Sequence, residues 1–150
     1  PDEQSALSFW GHKTAAIRDA SRRVDQLLRH QNLAAEKEFE LWRSVWDETE
    51  IFEIKAIALG LMTSKRLRPY WMTRPRMVFD VAPEIDNWAL SDSLSDTLAQ
   101  ILENDPQHLR VFQKWNSSQN AWLRRQSIVG LYCYARMRKK PLAVRHSLPL

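Results

Sequence analysis

Apolar positions recur at helical spacing along almost the whole of this chain. From Thr14 to about Gln31, Ile17, Val24, Leu27 and Leu28 form a first apolar stripe. A second helix is predicted from Leu33 to Asp47, closing on Trp42 and Trp46, four residues apart on one face. Thr49 stands where an N-cap belongs for a third, running to about Met62 on Ile51, Ile54, Ala58 and Leu61. Between Lys65 and Pro83 the pattern breaks into short pieces, because Pro69, Pro75 and Pro83 interrupt any long helix. Asp86 or Asn87 then caps a helix to about Glu103, whose stripe is Leu90, Leu94, Leu98 and Ile101. Asp105-Pro106 is a cap followed by proline at the first helical position, which starts another. Ser118 or Asn120 opens the last, to about Arg138, and it is apolar nearly all round, as an inner helix would be. From Pro141 the pattern reads as the start of a further element.

The helices carry an internal echo. Phe52–Ala58 reads F-E-I-K-A-I-A and Leu123–Val129 reads L-R-R-Q-S-I-V, at an offset of 71, while Trp42 precedes Trp115 by 73. About half that distance falls on Trp88 and its leucine stripe. Helix pairs returning every 35–36 residues or so fit a HEAT-like α-solenoid, in which each pair buries its face on the next; a generic helical bundle is the alternative.

Composition agrees with an all-α fold. Val, Ile and Thr together number 19 of 150 residues, too few for an all-β protein, and three glycines leave little material for hairpins. The length suits one domain spanning 1–150. Because the sequence begins at Pro1 without methionine, a longer parent chain is expected. Cys133 is alone and lies in an apolar run, so it reads as core packing in a reducing compartment. With no apolar stretch of membrane-spanning length and no targeting signal, a cytoplasmic location is expected.

The distribution of charge is more informative than the net +4. Lys65–Arg76 holds five basic residues and no acid, Met77–Leu109 seven acids and no Lys or Arg, and Arg110 to the end nine basic residues and no acid. An acidic band between two basic segments suits a polyanion partner, or is ordinary segregation of solvated faces. Trp88, Asp92 and Ser95 are expected on a face of their helix away from the leucine stripe. An indole beside a carboxylate could stabilise a developing cation; periodicity alone favours a packed Trp88 and a solvated Asp92. Arg125, Tyr132 and Arg136 share a face of the last helix. Adjacent Arg124 and Arg125 at the start of a buried helix must either meet acids of the preceding segment or point at an external anion. Arg138, Lys139 and Lys140 extend the positive surface, or simply compensate a helix C-terminus. The four histidines have no metal-ligand spacing, and there is no Gly-rich phosphate loop.

Four blocks in order, S-F-W-G-H-K-T-A-A-I-R-D (Ser8–Asp19), E-L-W-R (Glu40–Arg43), I-D-N-W-A-L-S-D-S (Ile85–Ser93) and W-N-S-S-Q-N-A-W-L-R-R-Q-S-I-V (Trp115–Val129), resemble the DNA alkylation repair, or AlkD-like, superfamily of HEAT-like-repeat DNA glycosylases. The resemblance implies an all-α solenoid with a basic groove for duplex DNA and excision of cationic purines such as 3-methyladenine and 7-methylguanine, by a monomer with no cofactor, metal or membrane. It also implies that the family domain has further helices beyond Leu150. Trp88 matches a family tryptophan, Asp92 an acid of the family's W-D-x-x-D stretch, and Arg125 the arginine after W-L-x. Where family glycosylases carry a tryptophan and a catalytic aspartate, this chain has Ser91 and Ser95. The expected site is therefore Asp92 as acid and Trp88 as aromatic wall, with Lys114, Arg124, Arg125, Arg136, Lys139 and Lys140 on DNA. A non-catalytic nucleic-acid binder and a protein-interaction scaffold are the alternatives.

Overall fold

The computed structural model describes residues 5–138. Among them the chain is all-helical, with eight α-helices, two 3-10 turns and no strand. It divides into two compact units, Pro1–Thr73 and Arg74–Leu150.

The first unit contains α1 (Thr14–Arg29), α2 (Ala35–Glu48), α3 (Phe52–Met62) and α4 (Arg68–Thr73). Both α1 and α2 pack on α3. Phe39, Trp46, Leu59, Met62 and Trp71 fill its core. The stripe predicted for α1 reaches that core only in part: Ile17, Val24 and Leu28 are half-buried, and Leu27 is 68% exposed. Helix α3 begins after Thr49, not at it, because an extended arm holds the chain there. Ser8 bridges Ile51 in parallel, its N–H donating to the Glu50 carbonyl at 2.8 Å and its carbonyl accepting from Phe52 N–H at 2.9 Å. The Thr49 hydroxyl instead accepts from Ile51 N–H two residues on, at 3.1 Å.

The arm itself explains the Ser8–Asp19 block. Phe9 stacks on Phe52 with ring centroids 4.8 Å apart. Gly11 adopts φ +80°, a left-handed turn that a side chain would resist. That turn lets Trp10 and His12 each donate a backbone N–H to the Glu53 carboxylate at 3.1 Å. Glu53 is only 4% exposed. A second carboxylate, Glu38, is 1% exposed and is held by the fork of Arg66, which also donates to Asp25 at 2.9 Å. These contacts tie α1, α2 and the segment after α3 together.

The second unit opens with α5 (Pro75–Phe79) and a 3-10 turn at Ala82–Glu84. Then come α6 (Trp88–Asn104), a 3-10 turn at Pro106–His108, α7 (Leu109–Asn116) and α8 (Ala121–Arg138). The predicted start signals act as side-chain caps. Asn87 accepts from Leu90 N–H at 3.0 Å, Asp105 from Gln107 N–H at 2.9 Å, and Asn120 from Trp122 N–H at 2.8 Å. Asp105 caps the 3-10 turn, so α7 starts one turn later than the proline suggests. Both α6 and α7 pack on α8. The approach of α7 is close: a Cβ on Gly130 would lie 2.6 Å from Phe112, itself fully buried. Gln126, also buried, donates to the Ala82 carbonyl at 3.0 Å and anchors α8 to the 3-10 turn.

The two units share one plan, in which a first and a second helix pack on a third. Corresponding helices start 74 residues apart for α1 and α6, 74 for α2 and α7, and 69 for α3 and α8. Trp42 and Trp115 occupy the second helix of each unit and are both buried. The sequence echo is therefore an echo of local architecture.

Burial opposes ionisation of Glu53, yet the N–H groups of Trp10, Gly11 and His12 hold its carboxyl below the ordinary glutamate range. A depressed folded value means that the arm's attachment contributes stability above the unfolded value of about 4.3 and loses it as pH falls through the lower folded value. Glu53→Gln is expected to cost about 1–2 kcal/mol at pH 7, with the gap to the parent narrowing below about pH 4. Thermal melts of both proteins across pH 3–7 check this.

Candidate nucleic-acid interface

Helix phase decides which side chains of the second unit reach solvent. The Asn87 cap starts α6, and Leu90, Leu94, Leu98 and Ile101 point into the core. At 100° per residue, inward Leu90 turns Trp88 outward, and Trp88 is 64% exposed. Asp92 follows one turn later on the same side. Ser95 does not join them, contrary to the expectation from the helical wheel. It is fully buried, and its hydroxyl donates to the Ser91 carbonyl at 2.8 Å. Ser91, Ser95 and Ala99, four residues apart, are all fully buried, so a small-residue strip widens the buried arc of α6. The two positions at which the family resemblance expects a tryptophan and a catalytic aspartate thus face the interior.

Helix α8 is not apolar on every side in the way an inner helix would be. It buries Leu123, Gln126, Ser127, Gly130, Cys133 and Tyr134, and exposes Arg124, Arg125, Ile128, Tyr132 and Arg136. Burial pushes the Cys133 thiol up to about 11, with a hydrogen bond to Asp96 adding to the shift, which suits a packing role.

Three of the outward arginines meet acids of α6. Arg125 grips Asp92 with two hydrogen bonds, Nε to Oδ1 and Nη2 to Oδ2, each 2.9 Å. That bond raises the Arg125 guanidinium further above its ordinary value. Arg136 reaches Asp96 at 2.9 Å, and Arg138 lies 3.8 Å from Glu103 while donating to the Tyr134 hydroxyl at 2.7 Å. The pairs follow one order on both helices, so α6 and α8 run parallel, side by side. Of the two fates open to the adjacent arginines, Arg125 takes the internal acid. Arg124 meets no acid among the described residues; its Nη1 turns back to the Ser118 and Gln119 carbonyls at 2.7 and 3.0 Å. Lys114 is exposed on α7 and forms no ion pair among the described residues. Lys139 and Lys140 lie outside the described residues, as does the stretch from Pro141.

The family model for DNA alkylation repair enzymes matches residues 4–146. The chain belongs to the DNA alkylation repair enzyme family. No curated protein and no solved structure matches it. Within this family member, exposed Trp88 lies one turn before half-buried Asp92 on α6, Asp92 is joined to Arg125 of α8, and the arginine–acid pairs spread along the same face. Among the described residues there is no group of three or more His, Cys, Asp or Glu able to hold a metal, and no helix long and apolar enough to cross a membrane.

Two features had no signal in the local pattern. One is the Glu53–arm contact, which also borders an apolar cleft of about 230 Å³ walled by Trp10, Ile17, Ile54 and Ile57. The other is the Asp25–Arg66–Glu38 cluster. Both involve a carboxylate, Glu53 or Glu38, that is buried and so needs a partner.

Trp88 is exposed where Trp46 is fully buried. Trp88→Ala is expected to change unfolding free energy by no more than about 0.5 kcal/mol. Trp46→Ala, which removes a fully buried indole, is expected to cost about 3–5 kcal/mol. Denaturant titrations of both variants check the contrast.

Proposed function

We propose that this protein binds duplex DNA through the outward face of α6 and α8 and excises N-alkylated purines by hydrolysing the N-glycosidic bond. The single observation that carries the reading is the Arg125–Asp92 pair one helical turn from exposed Trp88, in a chain of the DNA alkylation repair enzyme family. The matching helix order within the two units is read here as a HEAT-like repeat pattern.

The chemistry asks little of the protein. An N-alkylated purine such as 3-methyladenine or 7-methylguanine carries a positive charge on its ring. Cleavage of the bond to C1′ sends the bonding pair to the base, which leaves neutral, and positive charge builds on the sugar. Asp92 supplies a carboxylate for that charge, and Trp88 an aromatic face beside it. Water adds to C1′ and loses a proton to solvent, which closes the balance. The arginines would grip phosphates with planar, two-bond contacts. A second reading, DNA binding without excision, is favoured by the burial of Ser91 and Ser95 at the positions where the resemblance expects catalytic side chains.

The test is release of 7-methylguanine from alkylated duplex DNA. Release above background is expected, with Asp92→Asn slowing it about 100-fold or more. Salt-sensitive binding with no product supports the second reading. Release that survives Asp92→Asn contradicts the role of Asp92, and absence of both binding and release contradicts the proposal.

A further inference from the structure

The Trp88–Asp92–Arg125 cluster holds an apparent conflict. Both Asp92 oxygens are taken by Arg125, and the Arg125 fork is taken by Asp92. So engaged, the carboxylate has its charge cancelled at hydrogen-bond distance, and the Nε–Nη2 edge of the guanidinium is closed to a phosphate, which leaves it only the Nη1 side. We infer that Arg125 is a phosphate-operated positioning residue for Asp92: a DNA phosphate displaces the carboxylate from the guanidinium, and binding itself uncovers the acid. The inference rests on the reading of this face as the DNA-binding site.

Three observations support exchange at this pair. Its side chains are 41% and 39% exposed, so parting them leaves no charge stranded in the interior. The two-bond geometry that Arg125 offers Asp92 is the geometry a phosphate diester accepts equally well. Trp88 lies one turn before Asp92 and is itself open to solvent, so the freed carboxylate emerges beside an aromatic face. The contrast within the molecule is informative. Arg66 makes the same kind of fork to Glu38, but that carboxylate is 1% exposed and could not be released without stranding a buried charge. Arg136 and Asp96 share one hydrogen bond, and the neighbouring ring is Tyr132 on α8, 6.0 Å from the guanidinium. Of the arginine–acid pairs on this face, Arg125–Asp92 alone combines a bidentate grip, partial exposure and a tryptophan one helical turn before the acid.

The consequence runs against simple expectation for a catalytic carboxylate. Removing the Asp92 charge should tighten binding of undamaged DNA, because Arg125 loses its internal competitor. The test is a double-mutant cycle on the full chain, read as affinity for an unmodified duplex oligonucleotide by fluorescence anisotropy at several salt concentrations. Asp92→Asn is expected to tighten binding about two- to fivefold, the range of an exposed ion pair. Arg125→Ala should weaken binding and flatten the logarithmic salt dependence by about one phosphate contact. In the Arg125→Ala background, Asp92→Asn should have no more effect than Asp96→Asn has there. Should Arg125→Ala fail to fold, Arg125→Lys serves the same cycle, since it keeps the charge and loses the fork.

Equal tightening by Asp92→Asn in both backgrounds would mean general relief of repulsion and would overturn the inference. So would no tightening at all. Either result, with binding still dependent on Arg125, leaves the DNA-binding reading standing. Absence of duplex binding by the parent protein would remove both.

Discussion

The close seating of α8 against α6 and α7 is the constraint from which the exposed face follows. Gly130 lies so near Phe112 that no Cβ fits between them without the ring giving way. With Gly130, Cys133 and Tyr134 inward, the helical repeat leaves Arg125, Ile128, Tyr132 and Arg136 on the outer side. The same logic on α6 turns Leu90 and Leu94 in and Trp88 out. Because the two helices run parallel, acids along one are presented to arginines along the other. The face is thus a product of core packing, and its chemistry depends on a phase set by residues that never reach solvent.

Burial gives one kind of contact two different jobs in this protein. In the first unit, Glu38 and Glu53 are withdrawn from water and their charges are met by Arg66 and by backbone N–H groups. Breaking either contact would leave an uncompensated buried charge, so these are fixed structural joints. In the second unit the acid–arginine pairs stand at the surface, where each is worth no more than about 1 kcal/mol. Pairs that weak can be traded for a phosphate, and neutralisation of the face at rest is compatible with anion binding.

Much of the fold was legible because helices write their signals locally. The caps at Asn87, Asp105 and Asn120, the proline breaks and the leucine stripe of α6 are all short-range features, and each appears near where the pattern put it. The misses came from long range. Thr49 lost its capping role to an arm more than forty residues upstream. Leu27 sits on an apolar stripe that no described element covers at its position. Ser95 is buried because neighbouring elements enclose α6 over a wider arc than its leucine stripe marks. The candidate site was legible as residues and not as contacts. Trp88, Asp92 and Arg125 stand out in their own segments, but the sequence leaves Arg125 two fates, an acid of the preceding segment or an external anion, and nothing local chooses Asp92, 33 residues before it.

The most direct test of the account is chemical-shift mapping of the labelled protein with a short duplex. Signals of the Trp88 indole, the Arg125 guanidinium and Tyr132 should move together and saturate at one protein per site, with little change at the Asp25–Arg66–Glu38 cluster. Shifts absent from α6 and α8, with changes confined to other surfaces, would contradict the claim that this face meets DNA.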